Sequence, residues 1–331
     1  KDNKNISHQT LFFLAMNSIK YQKIDTAKRY LQLSLDKAYF KMDKDKVLFW
    51  QYLITKQKDI LSDLSQSWDI NIYSLYAKEL LNKPLDNVFY KVDILDKPTS
   101  FDITNQFEWI EVIRDIKEDF DEKKFDKYKK LFSSKDTVPH YTYLLEKYND
   151  YKKQYFITPY KDVVGKFSLD DQVLIYSIGR QESRFIPSAI SFATAQGIMQ
   201  IMPFLSKAIA KKYKEPYNIY EQFIPEVNLT YAKRHLQVLK KSFKNNPLFI
   251  AYAYNGGPGY TKSQFRRGHF SNIGNKYEPF LSMELISYNE TRRYGKKVLA
   301  NYYIYNNYLK DKKIKLSSIF ETLNSEGVNY K

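Results

Sequence analysis

The chain has 331 residues, 43% of them hydrophobic, which is enough for two or three domains with sizeable cores and is not the composition of a disordered polymer. It contains no cysteine, so disulfides, thiolate metal sites and a cysteine nucleophile are excluded together. Its formal charge of +16 suits an anionic partner, but the lysines are spread along the whole chain and not clustered as in a nucleic-acid patch, so solubility accounts for the surplus equally well.

No charge-free window of eighteen apolar residues occurs, so no membrane-spanning helix is expected. The first residue is Lys1, which fits a removed signal peptide or a trimmed chain alike. All ten glycines lie at or after Gly165. Glycine serves where loops take positive φ or where backbone approaches a neighbour closely. The glycine-free half therefore reads as packed helices with short links, and the second half as a compact domain with working loops.

In chain order, helical periodicity appears first through Leu11, Phe12 and Ala15, then through Ala27, Tyr30, Leu31 and Leu35. Val47, Leu48, Tyr52 and Leu53 mark a third helix, and Tyr73, Leu75, Tyr76 and Leu80 another. Helix pairs of this kind predict an α-superhelical array over 1–85, although no repeat of fixed period is present. Pro84, Pro98 and Asp102-Ile103-Thr104-Asn105 indicate a linker. Helices then follow from about Phe107 to Phe120, through a charged segment, and from Tyr141 to Tyr151, giving a small helical linker domain over 86–153.

Phe156-Ile157-Thr158-Pro159-Tyr160 leads into a last domain over 154–331, also mostly helical. Ser168-Leu169-Asp170-Asp171 has capping-box-like chemistry ahead of an apolar helix through Leu174, Ile175 and Ile178. Further helices are expected from Pro225 to Ser242, Leu248 to Tyr254 and Glu290 to Tyr308. The stretch after about Asp311 is polar and reads as loosely held.

Three segments carry chemistry. Glu182 falls four residues after Ile178 and eight after Leu174, so it continues that apolar stripe at the end of its helix. Burial and the negative helix terminus both disfavour a carboxylate there, which suits a general acid. The structural alternative is a surface glutamate paired with Arg180 or Arg184. Next, Ser191-Phe192-Ala193-Thr194-Ala195-Gln196-Gly197-Ile198-Met199-Gln200-Ile201-Met202-Pro203 begins as a small-residue loop and turns apolar with Gln200 embedded. An embedded amide must find partners, either a ligand rich in amides and hydroxyls or the backbone itself. Finally, Ala253-Tyr254-Asn255-Gly256-Gly257-Pro258-Gly259 is a tight turn after a helix; it lacks the spacing of a phosphate loop. The histidines, His8, His140, His235 and His269, have no ligand spacing, and no metal or cofactor is expected. No Gly-x-Ser-x-Gly elbow is present. The 30 Tyr and 22 Phe mostly pack helices, with some available to floor a sugar-binding groove.

Glu182-Ser183-Arg184-Phe185, Gly197-Ile198-Met199-Gln200, Ala253-Tyr254-Asn255-Gly256-Gly257 and Asn289-Glu290-Thr291-Arg292-Arg293-Tyr294 resemble, in order and spacing, four motifs of the soluble lytic transglycosylase family. The resemblance spans roughly 155–310. It implies a mainly α chain: a superhelical array, a helical linker domain and a lysozyme-like catalytic domain. The array is short for the family. Thr194 and Gln196 stand where the family favours glycine or small residues, and Gly295 where a bulky apolar residue is common.

The resemblance further implies that Glu182 alone serves as acid and then base in cutting peptidoglycan between N-acetylmuramic acid and N-acetylglucosamine, leaving a 1,6-anhydromuramyl end. Ser191, Gln200 and Met202 then contact the glycan near the cut, although core packing is an alternative for Met202. Tyr254 and Asn255 line the cleft, and Glu290 faces the muramyl side or stem peptide. Arg292 is expected in a salt bridge within the domain. The implied partners are glycan strands and muropeptides, with no nucleic acid, and the implied location is the periplasm of a Gram-negative bacterium. A muramidase that adds water and an inactive glycan-binding scaffold remain the alternatives.

Overall fold

The computed structural model describes residues 5–271 and 276–324. Among them are seventeen α-helices and one two-stranded sheet, so the chain is mainly α, as expected. In order, the helices of the first part are α1 (His8–Lys20), α2 (Ile24–Lys37), α3 (Lys41–Thr55), α4 (Lys58–Ser65) and α5 (Ile72–Leu80). Strand β1 (Val88–Phe89) precedes α6 (Gln106–Asp115), α7 (Glu122–Leu131) and α8 (Val138–Tyr148), and β2 (Gln154–Tyr155) follows. Then come α9 (Lys161–Val164), α10 (Leu169–Glu182), α11 (Pro203–Tyr213), α12 (Pro225–Ser242), α13 (Pro247–Gly256) and α14 (Pro258–Arg266). Helices α15 (Phe280–Leu285), α16 (Asn289–Leu309) and α17 (Leu316–Glu321) complete the chain. Two compact units are present: one is 1–86, 242–303 and 314–331, the other 87–241 and 304–313.

In the first unit, α1 to α5 pack each on its chain neighbour as helical hairpins. Leu11, Phe12, Ala27, Leu31, Val47, Trp50 and Leu75 fill the seams, each essentially sealed from solvent. Ser7 caps α1 by accepting the Thr10 N–H, and Asn71 forms a capping box with Ser74 at α5. The fully buried Asp45 carboxylate accepts from Lys41 Nζ at 2.6 Å, Ser67 Oγ at 2.5 Å and Asn71 Nδ2 at 2.8 Å. It ties α3 to the α4–α5 link.

The polar end of the chain departs from expectation. Beyond Asp311, α17 buries Leu316, Ile319 and Phe320, and the Glu79 carboxylate of α5 accepts from the Leu316 and Ser317 N–H groups and from Ser317 Oγ. A carboxylate at a helix N-terminus satisfies two otherwise orphaned donors, so residues up to 324 are anchored; 325–331 lie outside the described residues. Helix α6 also stops earlier than periodicity suggests. Ile116 turns into the core, and Asp115 is held by Tyr128 Oη at 2.6 Å and Lys127 Nζ at 3.1 Å.

The second unit joins β1 to β2 in parallel, Val88 opposite Gln154 and Phe89 opposite Tyr155. Phe101, Trp109, Val112, Ile116, Tyr128, Phe132, Tyr141 and Leu144 form one core, and Ile186 packs into it. His140 sits at its centre. Its ring lies 5.0 Å from Phe101, 5.0 Å from Trp109 and 5.2 Å from Phe132, centroid to centroid. Neither ring nitrogen has a hydrogen-bond partner among the described residues. Burial pushes this imidazole down to about 3.

A group with a depressed folded-state value stays neutral in the native protein while the unfolded chain takes up a proton below about pH 6.5. Stability is therefore lost as pH falls from 6.5 toward 3, at about 1.4 kcal/mol per pH unit. Urea melts at pH 7 and pH 5 check this: His140 should cost the parent about 2 kcal/mol over that interval, and His140→Phe should remove that part of the loss. Equal pH dependence in both proteins would contradict it.

Candidate active site

Helix α10 begins where Ser168 Oγ accepts the Asp171 N–H at 3.3 Å. Asp171 does not return the bond as a capping box; its carboxylate takes Lys240 Nζ of α12 at 2.6 Å. The helix buries Leu174 and Ile178, and Glu182, its last residue, continues their stripe half-buried. Gly179 is one turn earlier. A Cβ there would lie 3.0 Å from the Phe185 ring and 3.1 Å from Met199 Sδ, so the absent side chain leaves room for both.

Arg180 and Arg184, which flank Glu182, both go to Glu146 of α8. Arg180 Nη2 lies 2.8 Å from Glu146 Oε1, and Arg184 Nη1 pairs with Oε2. Glu146 Oε1 also accepts the Tyr155 N–H at 2.7 Å. The carboxylate is 1% exposed. Burial pulls both guanidinium groups down to about 10, so they stay charged at neutral pH. The pairing expected as the alternative for Glu182 is thus made by a different acid.

Beyond Glu182 the chain reverses. The Ser183 N–H reaches back to the Gly179 carbonyl at 3.1 Å, and Arg184 and Phe185 take left-handed φ of 55° and 68°. Two adjacent non-glycine residues in that region are strained and need strong anchors. The anchors are the Arg184–Glu146 pair and the buried Phe185 ring.

Ser183 Oγ then donates to the Ile198 carbonyl at 2.7 Å, joining the end of α10 to the 197–200 turn. Gly197 has φ +74°, and a Cβ there would meet the Gln222 carbonyl at 2.2 Å. Asn228, fully buried on α12, accepts the Met199 N–H at 2.8 Å and donates to the Gln196 carbonyl at 3.1 Å. Gln200, at φ 46°, donates Nε2 to the carbonyls of Ala189 at 3.0 Å and Gly197 at 2.9 Å. Its amide nitrogen is therefore bound to backbone. Ser191 Oγ accepts the Ala195 N–H at 3.0 Å, and Met202 is half-buried as the residue before α11.

Glu182, Ser191, Gln200 and Met202 thus fall in one compact unit; Tyr254, Asn255 and Glu290 fall in the other. There, α13 ends at Gly256, with Tyr254 half-buried. Asn255 Nδ2 donates to Glu290 Oε1 at 2.8 Å, and Asn255 Oδ1 accepts from Thr291 Oγ1 at 2.6 Å. Gly257, at φ +87°, stops the helix as expected. Arg292 is satisfied differently from expectation, by the Ile286 carbonyl at 2.6 Å and Asn289 Oδ1 at 2.8 Å. Gly295 has a steric reason: a Cβ would lie 2.2 Å from the buried Tyr252 ring.

Sequence reasoning missed Glu146 and Asn228. Asn228 carried a signal, a polar residue one turn before Tyr231 and Ala232 on the buried stripe of α12. Glu146 carried none, because the two guanidinium groups it pairs with lie more than thirty residues on.

Residues 165–276 match the Transglycosylase SLT domain family. Over 173 residues the chain is 32% identical to the soluble lytic murein transglycosylase of Escherichia coli (strain K12), covering 52% of this chain and 25% of that one. It is 30% identical to the Salmonella typhimurium protein of the same name, covering 51% and 26%. The fold is shared with the 70 kDa soluble lytic transglycosylase of Escherichia coli, at TM-score 0.62 and 21% identity over 98% of this chain and 54% of that one. An inactive mutant of lytic transglycosylase Slt from Pseudomonas aeruginosa gives TM-score 0.62 at 16% identity, covering 94% and 53%. The chain spans about a quarter of these two curated relatives and about half of these solved structures. It carries an SLT-type transglycosylase domain. Over about half of its length it is similar to soluble lytic murein transglycosylases.

Removing the Glu146 charge leaves the buried Arg180 and the half-buried Arg184 guanidinium groups without their carboxylate. Glu146→Gln should destabilise the protein by about 3–5 kcal/mol in urea unfolding. Glu111→Gln, which breaks an exposed pair with Arg114 at 2.6 Å, should change stability by under about 1 kcal/mol. Comparable small losses in both variants would contradict the role of Glu146 as the shared partner of both arginines.

Proposed function

We propose that this protein is a peptidoglycan lytic transglycosylase with Glu182 as its single acid and base. The observation that carries the reading is the position of Glu182: the last residue of a buried helix, half-buried, next to Ser183, whose hydroxyl holds the 197–200 turn. In this reading Glu182 gives its proton to the oxygen joining C1 of N-acetylmuramic acid to N-acetylglucosamine, and that C1–O bond breaks. The muramyl 2-acetamido group stabilises the cation at C1. The carboxylate of Glu182 then takes the proton of the sugar's own C6 hydroxyl as O6 bonds to C1. The proton is returned, no water is consumed, and the muramyl end is 1,6-anhydro.

Ser191, Gln200 and Met202 contact the glycan near the cut. With Gln200 Nε2 bound to backbone, its amide oxygen is the group that faces sugar hydroxyls and amides. Tyr254 and Asn255 line the cleft, with Asn255 oriented by Glu290 and Thr291; Glu290 faces the muramyl side or its peptide. Glycan strands and muropeptides are the substrates, and their lactyl and peptide carboxylates suit the +16 charge. The periplasm is the corresponding compartment. The three-part plan of 1–85, 86–153 and 154–331 is proposed as one of descent, distinct from the two units that compactness defines.

Glu182→Gln keeps the shape and removes the proton donor. Its release of soluble fragments from purified sacculi should fall by about 100- to 10,000-fold, with pelleting on sacculi retained. A variant that clears sacculi at the parent rate would remove Glu182 from the mechanism.

A further inference from the structure

Two aromatic rings near the candidate site have no part in the core. Phe192 is fully exposed, and Phe204 is 72% exposed. Their backbone is nonetheless fixed. The Ser191 N–H bonds the Ala195 carbonyl at 3.0 Å, the Thr194 N–H bonds the Ser191 carbonyl at 2.9 Å, and the Ala195 N–H bonds Ser191 Oγ at 3.0 Å. Phe204 occupies the first turn of α11, directly after Pro203, where the Leu205 and Ser206 N–H groups bond the Met202 carbonyl at 2.9 and 3.0 Å.

The ladder between them sets their common end. Gln196 pairs antiparallel with Ile190 on one side and Ile201 on the other. The chain runs up through Ile190, down through Gln196 and up again through Ile201. The 197–200 turn, which Ser183 holds near Glu182, closes the lower end. The 191–195 loop and residues 202–204 both leave at the upper end. Phe192 and Phe204 thus stand at the Ser191 and Met202 end, away from the turn that contains Gln200.

We propose that Phe192 and Phe204 form a sugar-stacking platform that extends the glycan track beyond Ser191 and Met202, and so act as binding residues for pyranose rings remote from the cut. This inference rests on the glycan-cleaving reading of the site. A pyranose presents a C–H face that packs on an aromatic ring, and rigid exposed rings bind such faces with little ordering cost. Continuity with Ser191 and Met202 selects the glycan strand as the occupant. Both rings are uncharged, so the contact reads the sugar and not the stem peptide's carboxylates.

The test uses the Glu182→Gln protein and peptide-free glycan strands freed from sacculi, with binding measured by calorimetry. Phe192→Ala with Phe204→Ala should weaken binding of strands of eight or more sugars by about three- to tenfold for each ring lost. A disaccharide should lose nothing. Tyr or Trp at both positions should restore affinity, and Leu should not. Thermal melts of the double variant should match the parent, since neither ring is core. Long-strand affinity within twofold of the parent, or rescue by Leu as full as by Trp, would overturn the platform. So would loss of binding to anionic lipid vesicles in place of glycan. Sacculus digestion by the protein with Glu182 intact separates the two levels: if it releases anhydromuramyl fragments while the double variant binds normally, the platform alone fails. If it neither cuts nor binds, the site reading fails and the platform with it.

Discussion

The buried carboxylate of Glu146 is the constraint on which the local arrangement around Glu182 depends. It accepts two guanidinium groups, from Arg180 and Arg184, and one backbone N–H, from Tyr155. A charge this deep must be paired, and so must its partners. Arg180 lies one side of Glu182 and Arg184 the other, so satisfying Glu146 fixes the chain both before and after Glu182. The left-handed turn at Arg184 and Phe185 follows from that demand. So does the attachment of the motif to the aromatic core of α6 to α8, through Ile186.

A second lock acts on the neighbouring loop. Asn228 supplies an acceptor to Met199 and a donor to Gln196, and Gly197 admits the Gln222 carbonyl at a distance that no side chain permits. The 197–200 turn is therefore set from below by α12 and from the side by Ser183. Such support matters for the proposed role of Glu182, because small misplacements of a reacting group are costly in rate. In the other unit, Asn255 is oriented in the same manner by Glu290 and Thr291, with glycine at 256 because a Cβ would lie 2.8 Å from Thr291 Oγ1.

Much of this was legible in the sequence, for local reasons. The period of Leu174, Ile178 and Glu182 placed the glutamate on a buried face, Ser168 announced the helix start, and the glycines after Asn255 announced a stop. The bounds of α12 were read to the residue because Pro225 opens it. What was hidden depends on contacts distant in the chain. Nothing near Glu146 in sequence says that Arg180 and Arg184 will reach it, so these arginines were weighed as partners of Glu182. Helix α4 is only eight residues long and offers too few turns for periodicity to show. The hold on α17 required Glu79, more than two hundred residues earlier. Capping by Ser168 was foreseen, whereas the diversion of Asp171 to Lys240 was not, since a carboxylate in a first helical turn fits a capping box and a tertiary ion pair equally well.

In the proposed reaction the sugar's own hydroxyl, and not water, closes on C1 after Glu182 has protonated the leaving oxygen. Digestion of purified sacculi in oxygen-18 water tests it directly, with the released muramyl ends read by mass spectrometry. Anhydromuramyl ends carrying no label are the expected result. Reducing muramic acid ends carrying one oxygen-18 would contradict it and make the enzyme a muramidase.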